Sequence, residues 1–217
     1  MRAKLLVRAN RHRGIRAAFR AGVVLWSAVE EVDRDNRTFL SQQLVAGWLG
    51  ADLVGCDGAH ACWLLVCEAA TPAQRAVWFP RMHQAVSDGW ADDTDLAILD
   101  DRVAREAGRA QLHGTVTYGD PPRLWPLAEP EQLGELRAML HLPPLSEQDL
   151  AGAWTFAELA RSAPEALGDS PAPEPPTGGD RLTPGRAETG PAPGEVSGAE
   201  PTQCRQPIEA RGPHAHE

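Results

Sequence analysis

The sequence predicts a mainly α fold: a compact bundle of five to seven helices with one short extended arm, followed by a disordered C-terminal tail. Three observations predict it. Apolar residues recur at steps of three and four through most of the first 162 positions. Helix start and stop signals bracket these runs. Proline and glycine concentrate at the other end: 163–217 holds 11 of the 19 prolines and eight of the 20 glycines, which marks low complexity. Residues 1–162 are therefore read as a single helical domain, large enough to bury its own core.

The elements follow in order. Residues 3–20 form a basic N-terminal helix with Leu5, Ile15 and Phe19 inward, interrupted by Gly14. A second helix runs through "EEVDRDNRTFLSQQLVAGWL", where Leu40, Leu44 and Trp48 step by four and Phe39 and Val45 lie beside them. Gly58 leads into "AHACWLLVCEAA", apolar without a break from Ala61 to Cys67. Its alanine content and length favour a helix buried on all sides in the middle of a bundle. In "TPAQ", Thr71 and Gln74 can cap each other's backbone and Pro72 suits the first helical position, so a helix with Val77, Trp78, Met82 and Val86 starts there. Asp92 or Asp93 caps the next one, which carries Leu96, Leu99 and Val103 and stops at Gly108. "RAQLHGTVTYGDPPRLWPL" breaks the helical period and reads as the extended arm. Helix returns at 130–141, and Ser146 caps a last one holding Leu150, Trp154 and Ala157. No structure is expected after Ser162.

Charge narrows the partners. Residues 1–25 hold seven basic residues and no acid, whereas 26–168 hold 10 basic and 22 acidic residues. An acidic body repels phosphate backbones, so nucleic acid is an unlikely partner. The basic helix is expected to dock its arginines on the acidic body. The apolar stretch "AGVVLWSAV" is short for a signal sequence, and no run has the length a membrane span needs. Four cysteines do not make a disulfide framework in a chain this long. These points together predict a cytoplasmic protein without a membrane contact.

Cys56, His60, Cys62, Cys67 and Glu68 crowd into thirteen positions, which raises the question of chemistry. Zinc needs ligands that converge. On a helix, Cys62 points about 200° away from His60, and Cys67 lies about 10 Å further along the axis. Cys62 and Cys67 are therefore expected in the core, and neither a metal nor any other cofactor is assigned. Asp92, Asp93 and Asp95 sit where acids complement a helix N-terminus. Glu68 differs, because a carboxylate closing an apolar run needs a partner or a proton.

Residues 30–148 resemble an uncharacterised bacterial family, the domain of unknown function numbered six-six-two-four. Asp33, Asp35, Asn36 and Leu40, then Gly47, Trp48, Val54 and Gly55, then Trp63, Leu64, Leu65 and Val66 carry the likeness. So do Asp101, Arg102 and Val103, Gly108, Gln111, Gly114 and Thr115, and Leu142, Pro143, Pro144 and Leu145. The resemblance implies a compact, mainly helical domain and no particular activity. This chain departs from the family pattern where a Gln-His pair falls on Cys67 and Glu68, an Asp on Ala70, and a Tyr-Gly-Thr-Gln run on His113, Gly114, Thr115 and Val116.

The alignment brings forward one candidate polar cluster: Glu68, Asp101, Arg102, Gln111 and His113. Glu68 and His113 are expected to touch, with Arg102 as the positive partner. No catalytic residue is assigned. The function expected is a non-catalytic cytoplasmic module that binds a partner or small ligand. One alternative is a hydrolase-like enzyme using Glu68 and His113 as acid and base. The other is a scaffold that captures a protein partner through "PAPEPP" in its proline-rich tail.

Overall fold

The structure is a computed structural model of the 217-residue chain, and it describes residues 1–167. The predicted tail falls almost wholly outside the described residues. Eight α-helices are present among the described residues: α1 Arg2–Arg20, α2 Trp26–Gln43, α3 Ala51–Ala69, α4 Pro72–Ser87, α5 Asp93–Glu106, α6 Leu133–Met139, α7 Glu147–Ala151 and α8 Phe156–Ser162. The extended arm is a two-stranded antiparallel hairpin, β1 Thr117–Tyr118 and β2 Arg123–Leu124.

α3 is the central helix. Cys62, Leu65 and Val66 have no exposed surface, and Ala61, Trp63 and Cys67 are buried beside them. α1, α2 and α5 pack against it, α1 also packs on α2, and α4 packs on α5. Leu40, Leu44 and Trp48 reach the core as their spacing predicts, while Val45 points to solvent. α3 begins seven residues before Gly58, and Gly55, at φ +70, kinks it. Only glycine adopts that angle without strain, so this position joins two helical segments into one element.

The capping signals set the boundaries. Thr71 accepts from the Gln74 N–H and Gln74 answers to the Thr71 N–H, which starts α4. Asp92 accepts from the Asp95 N–H at the start of α5. The single last helix expected after Ser146 is two: Gly152 closes α7, and a second capping box, Thr155 with Glu158, opens α8. Regular structure continues past Ser162 in a 3₁₀ turn, Pro164–Leu167.

α1 corrects one expectation. Its inward residues are Leu5, Ala9 and His12, whereas Ile15 is half-buried and Phe19 is exposed. Its arginines do dock on acids: Arg2 on Asp57, Arg8 and Arg11 on Asp35, and Arg16 on Asp33.

A second, smaller core forms around Trp125, Leu159 and Ala163, with Val116, Tyr118, Trp154 and Phe156 packed against it. Trp125 meets Tyr118 and Phe156 edge-on, each at 6.2 Å between ring centres. Arg105, reaching from α5, lies over both Tyr118 and Trp125. No helix among the described residues is long and apolar enough to cross a membrane.

Candidate functional site

The five residues of the predicted cluster divide into two groups. Asp101 and Gln111 have no exposed surface and hold the loop between α5 and the hairpin. Asp101 Oδ1 accepts from the Leu112 and His113 N–H groups, and Oδ2 from the Thr115 N–H and hydroxyl, all within 2.8–2.9 Å. Four donors saturate a carboxylate, so Asp101 has no lone pair left for a ligand. Gln111 Nε2 donates to the carbonyls of Val116 and Trp125, and its Oε1 accepts from the Val116 N–H. Both residues therefore anchor backbone that has no ladder to bond with.

Glu68 and Arg102 lie nearer the surface. Arg102 donates to Glu68 Oε1 at 3.3 Å and lies 3.8 Å from Glu106, one turn along α5. Glu106 in turn holds the buried Arg75 by two bonds, of 2.9 and 2.5 Å. Arg75 also donates to the carbonyls of Cys67 and Ala70, at the end of α3. Arg16 and Arg37 reach the carbonyls of Glu68 and Ala69. Three guanidiniums thus satisfy the open carbonyls of α3 and complement its negative end.

His113 turns elsewhere. Its Nε2 lies 3.7 Å from Asp100, and its Nδ1 is buried without a hydrogen-bond partner among the described residues. The expected Glu68–His113 contact is replaced by two separate pairs, Glu68 with Arg102 and His113 with Asp100.

The sulfur-rich stretch is core. Cys62 and Cys67 are free and buried, and burial pushes the Cys62 thiol up to about 12 and the Cys67 thiol higher still. Such thiols are inert as nucleophiles at neutral pH. Cys56 is disulfide-bonded, a bond that the count of four cysteines did not announce, whereas Cys62 and Cys67 are free. His60 hydrogen-bonds Asp95 at 2.8 Å and stacks on Trp63. No group of three potential metal ligands occurs among the described residues.

Two features escaped the sequence reading. The first is a buried polar knot between α1, α2 and the end of α3. His12 is 2% exposed, Asp33 6% and Asn36 1%. His12 Nδ1 lies 3.2 Å from Asp33, yet neither atom is in hydrogen-bonding geometry. His12 Nε2, Arg16 Nε and Asn36 Nδ2 are also buried without partners among the described residues. Each such group costs about 1–3 kcal/mol. Burial holds the His12 imidazole below its ordinary value, against the pull of Asp33. The signal was available: His12 follows Leu5 by seven and Ala9 by three, on the apolar face of α1.

The second feature is an open groove of about 530 Å³ between α2 and the first turn of α4. Arg34, Arg37, Thr38, Ser41, Gln42, Thr71 and Gln74 line it. Gln74 donates to the Ser41 hydroxyl and ties the two helices together across it. The Arg34 guanidinium has no protein partner among the described residues.

The chain matches the model of a family of unknown function, DUF6624, over residues 17–151. It belongs to that family. No curated protein and no solved structure matches it. The matched segment leaves out most of α1 and ends with α7, so α8 and much of the second core lie beyond the family domain.

Proposed function

We propose that this DUF6624 chain is a non-catalytic binding module that takes an anionic ligand into the groove between α2 and α4. The carrying observation is the lining: two guanidiniums, three hydroxyls and two carboxamides with no carboxylate, on a chain of net charge −9. Arg34 is uncommitted, and a guanidinium matches a carboxylate or phosphate by two parallel bonds. Arg37 is held in place by the Ala69 carbonyl. An open groove of this kind suits reversible, weak capture. Binding is preferred to acid–base chemistry because Glu68 and His113 are engaged by Arg102 and Asp100. The proline-rich segment, on which the alternative scaffold reading rests, lies outside the described residues.

Thermal unfolding in sodium phosphate against sodium chloride at matched ionic strength tests this. Phosphate at about ten times its dissociation constant should raise the wild-type Tm by about 3 °C. The rise should vanish in Arg34→Glu. Equal rises in both proteins, or none in either, would overturn the reading. The compartment proposed is the cytoplasm, on the shortness of the apolar stretch at residues 21–29, and the Cys56 disulfide is the observation that weighs against it. Recovery of the protein outside the cytoplasm on fractionation counts against it.

A further inference from the structure

The interface between α1 and the rest of the chain is unlike the others. Leu5 and Ala9 are its fully buried apolar residues on α1. Leu6 packs beside them and the Arg8 guanidinium lies over the Phe39 ring, and the rest is ion pairs: Arg2 on Asp57, Arg8 and Arg11 on Asp35, and Arg16 on Asp33. Asp35 is 46% exposed and Arg11 55%, so their attraction weakens with salt. Five of the eight buried polar atoms without a partner among the described residues sit in this one contact, on His12, Arg16, Asp33 and Asn36. A contact whose rim is exposed ion pairs and whose centre holds unsatisfied polar atoms opens more readily than the wholly apolar core behind it.

The connection to α2 is short. Five residues, Ala21 to Leu25, join the helices, with Gly22 at φ +68. Val23 and Leu25 within it are 74% and 79% exposed, so the connection is not fastened to the core. Short connections of this kind favour exchange of a terminal element between identical chains. The family match begins at residue 17, so most of α1 precedes it, and α1 covers a face that carries the family-motif residues Asp33, Asp35 and Asn36.

We propose that the acidic face formed by Asp33, Asp35, Asn36 and Asp57 is a docking site for a basic amphipathic helix, and that its second occupant is α1 of another copy of this chain. A second copy fits because it carries the same register: basic residues at 2, 8, 11 and 16 against those acids, and Leu5 and Ala9 against the core. Exchange is reciprocal, so each copy seats the other's helix and no face is left open. The inference goes beyond the groove proposed above and shares no residue with it.

Charge reversal tests it with full-length chains. R8E/R11E reverses the helix, and D35R reverses the face. Each variant alone mismatches its own α1, whereas a mixed pair with exchanged helices matches at both contacts. Native mass spectrometry of the mixture should show a heterodimer, and each variant alone should remain monomeric. A mixture that contains only the two monomers, both folded by circular dichroism, would overturn the proposal. If either variant fails to fold, a fluorescent peptide of residues 1–20 added to the wild-type chain decides instead. Saturable capture at about 50 mM salt that falls away by about 500 mM supports the exchange, because only the screened pairs change. No capture at either salt overturns it.

Discussion

At the scale of single residues, chemical type alone does not separate a brace from a site. Asp101 and Glu68 are both carboxylates at positions that the family likeness brings to notice. Asp101 accepts four hydrogen bonds with no surface exposed, while Glu68 shares one ion pair with Arg102 and is about two-fifths exposed. The physical expectations diverge. Asp101→Asn places an amide donor against backbone donors and removes a charge-assisted acceptor, for a loss of about 3 kcal/mol in urea unfolding. Glu68→Gln breaks a half-exposed pair and should cost under about 1 kcal/mol. Equal losses for the two would mean that Asp101 is not the anchor of the 112–115 loop. The sequence made Asp101 visible but not its task, because the four donors it meets become neighbours only after the chain turns back at Gly108 and Gly114. His12 and Asp33 were invisible as a pair for the same reason, lying on different helices.

At the scale of elements, local signals were the most legible part of the chain. The Thr71–Gln74 box, the Asp92 cap and the Ser146 cap stand where the letters put them, since a cap is a contact between residues three apart. The start of α3 was not legible. Residues 51–57 contain no apolar stripe of their own, and the positive φ at Gly55 that joins them to the buried segment is a property of the fold. Two glycines separate local from tertiary control. At Gly14, exposed in α1, an added Cβ meets nothing within 4 Å, so Gly14→Ala should gain about 1 kcal/mol from helix propensity alone. At Gly50, the cap of α3, an added Cβ would lie 2.8 Å from the Trp90 Cβ and 3.0 Å from its carbonyl, where the Ala51 N–H donates. Gly50→Ala must therefore push α3 away from the α4–α5 junction and lower the Tm. A gain at both positions would show that the approach of Gly50 to Trp90 is slack.

At the scale of the whole molecule, the described residues form two cores of unequal size, and how strongly these are coupled depends on what joins them. The larger core is built by α1 to α5 around Leu65 and Val66; the smaller is built by the hairpin, α8 and the 3₁₀ turn around Trp125. Apolar residues at steps of three and four announced the first, because helices that follow one another pack together. The second was read only as an arm, because Trp125 gains its partners from Leu159 and Ala163, more than thirty positions away. The joints between the cores are polar: Asp101 on the loop, Arg105 over the two rings, and the Trp125 indole N–H on the Arg109 carbonyl. Directional contacts of this kind fix a position, but they couple two cores less strongly than shared apolar packing does. Trp125→Ala removes the only wholly buried aromatic side chain among the described residues, at a cost of about 3–5 kcal/mol. In hydrogen exchange followed by mass spectrometry, that cost should appear as faster exchange in 111–127 and 154–163, while α3 keeps its protection. If α3 lost protection to the same degree, the two cores would unfold as one cooperative unit, and the polar joints would couple them as tightly as continuous packing.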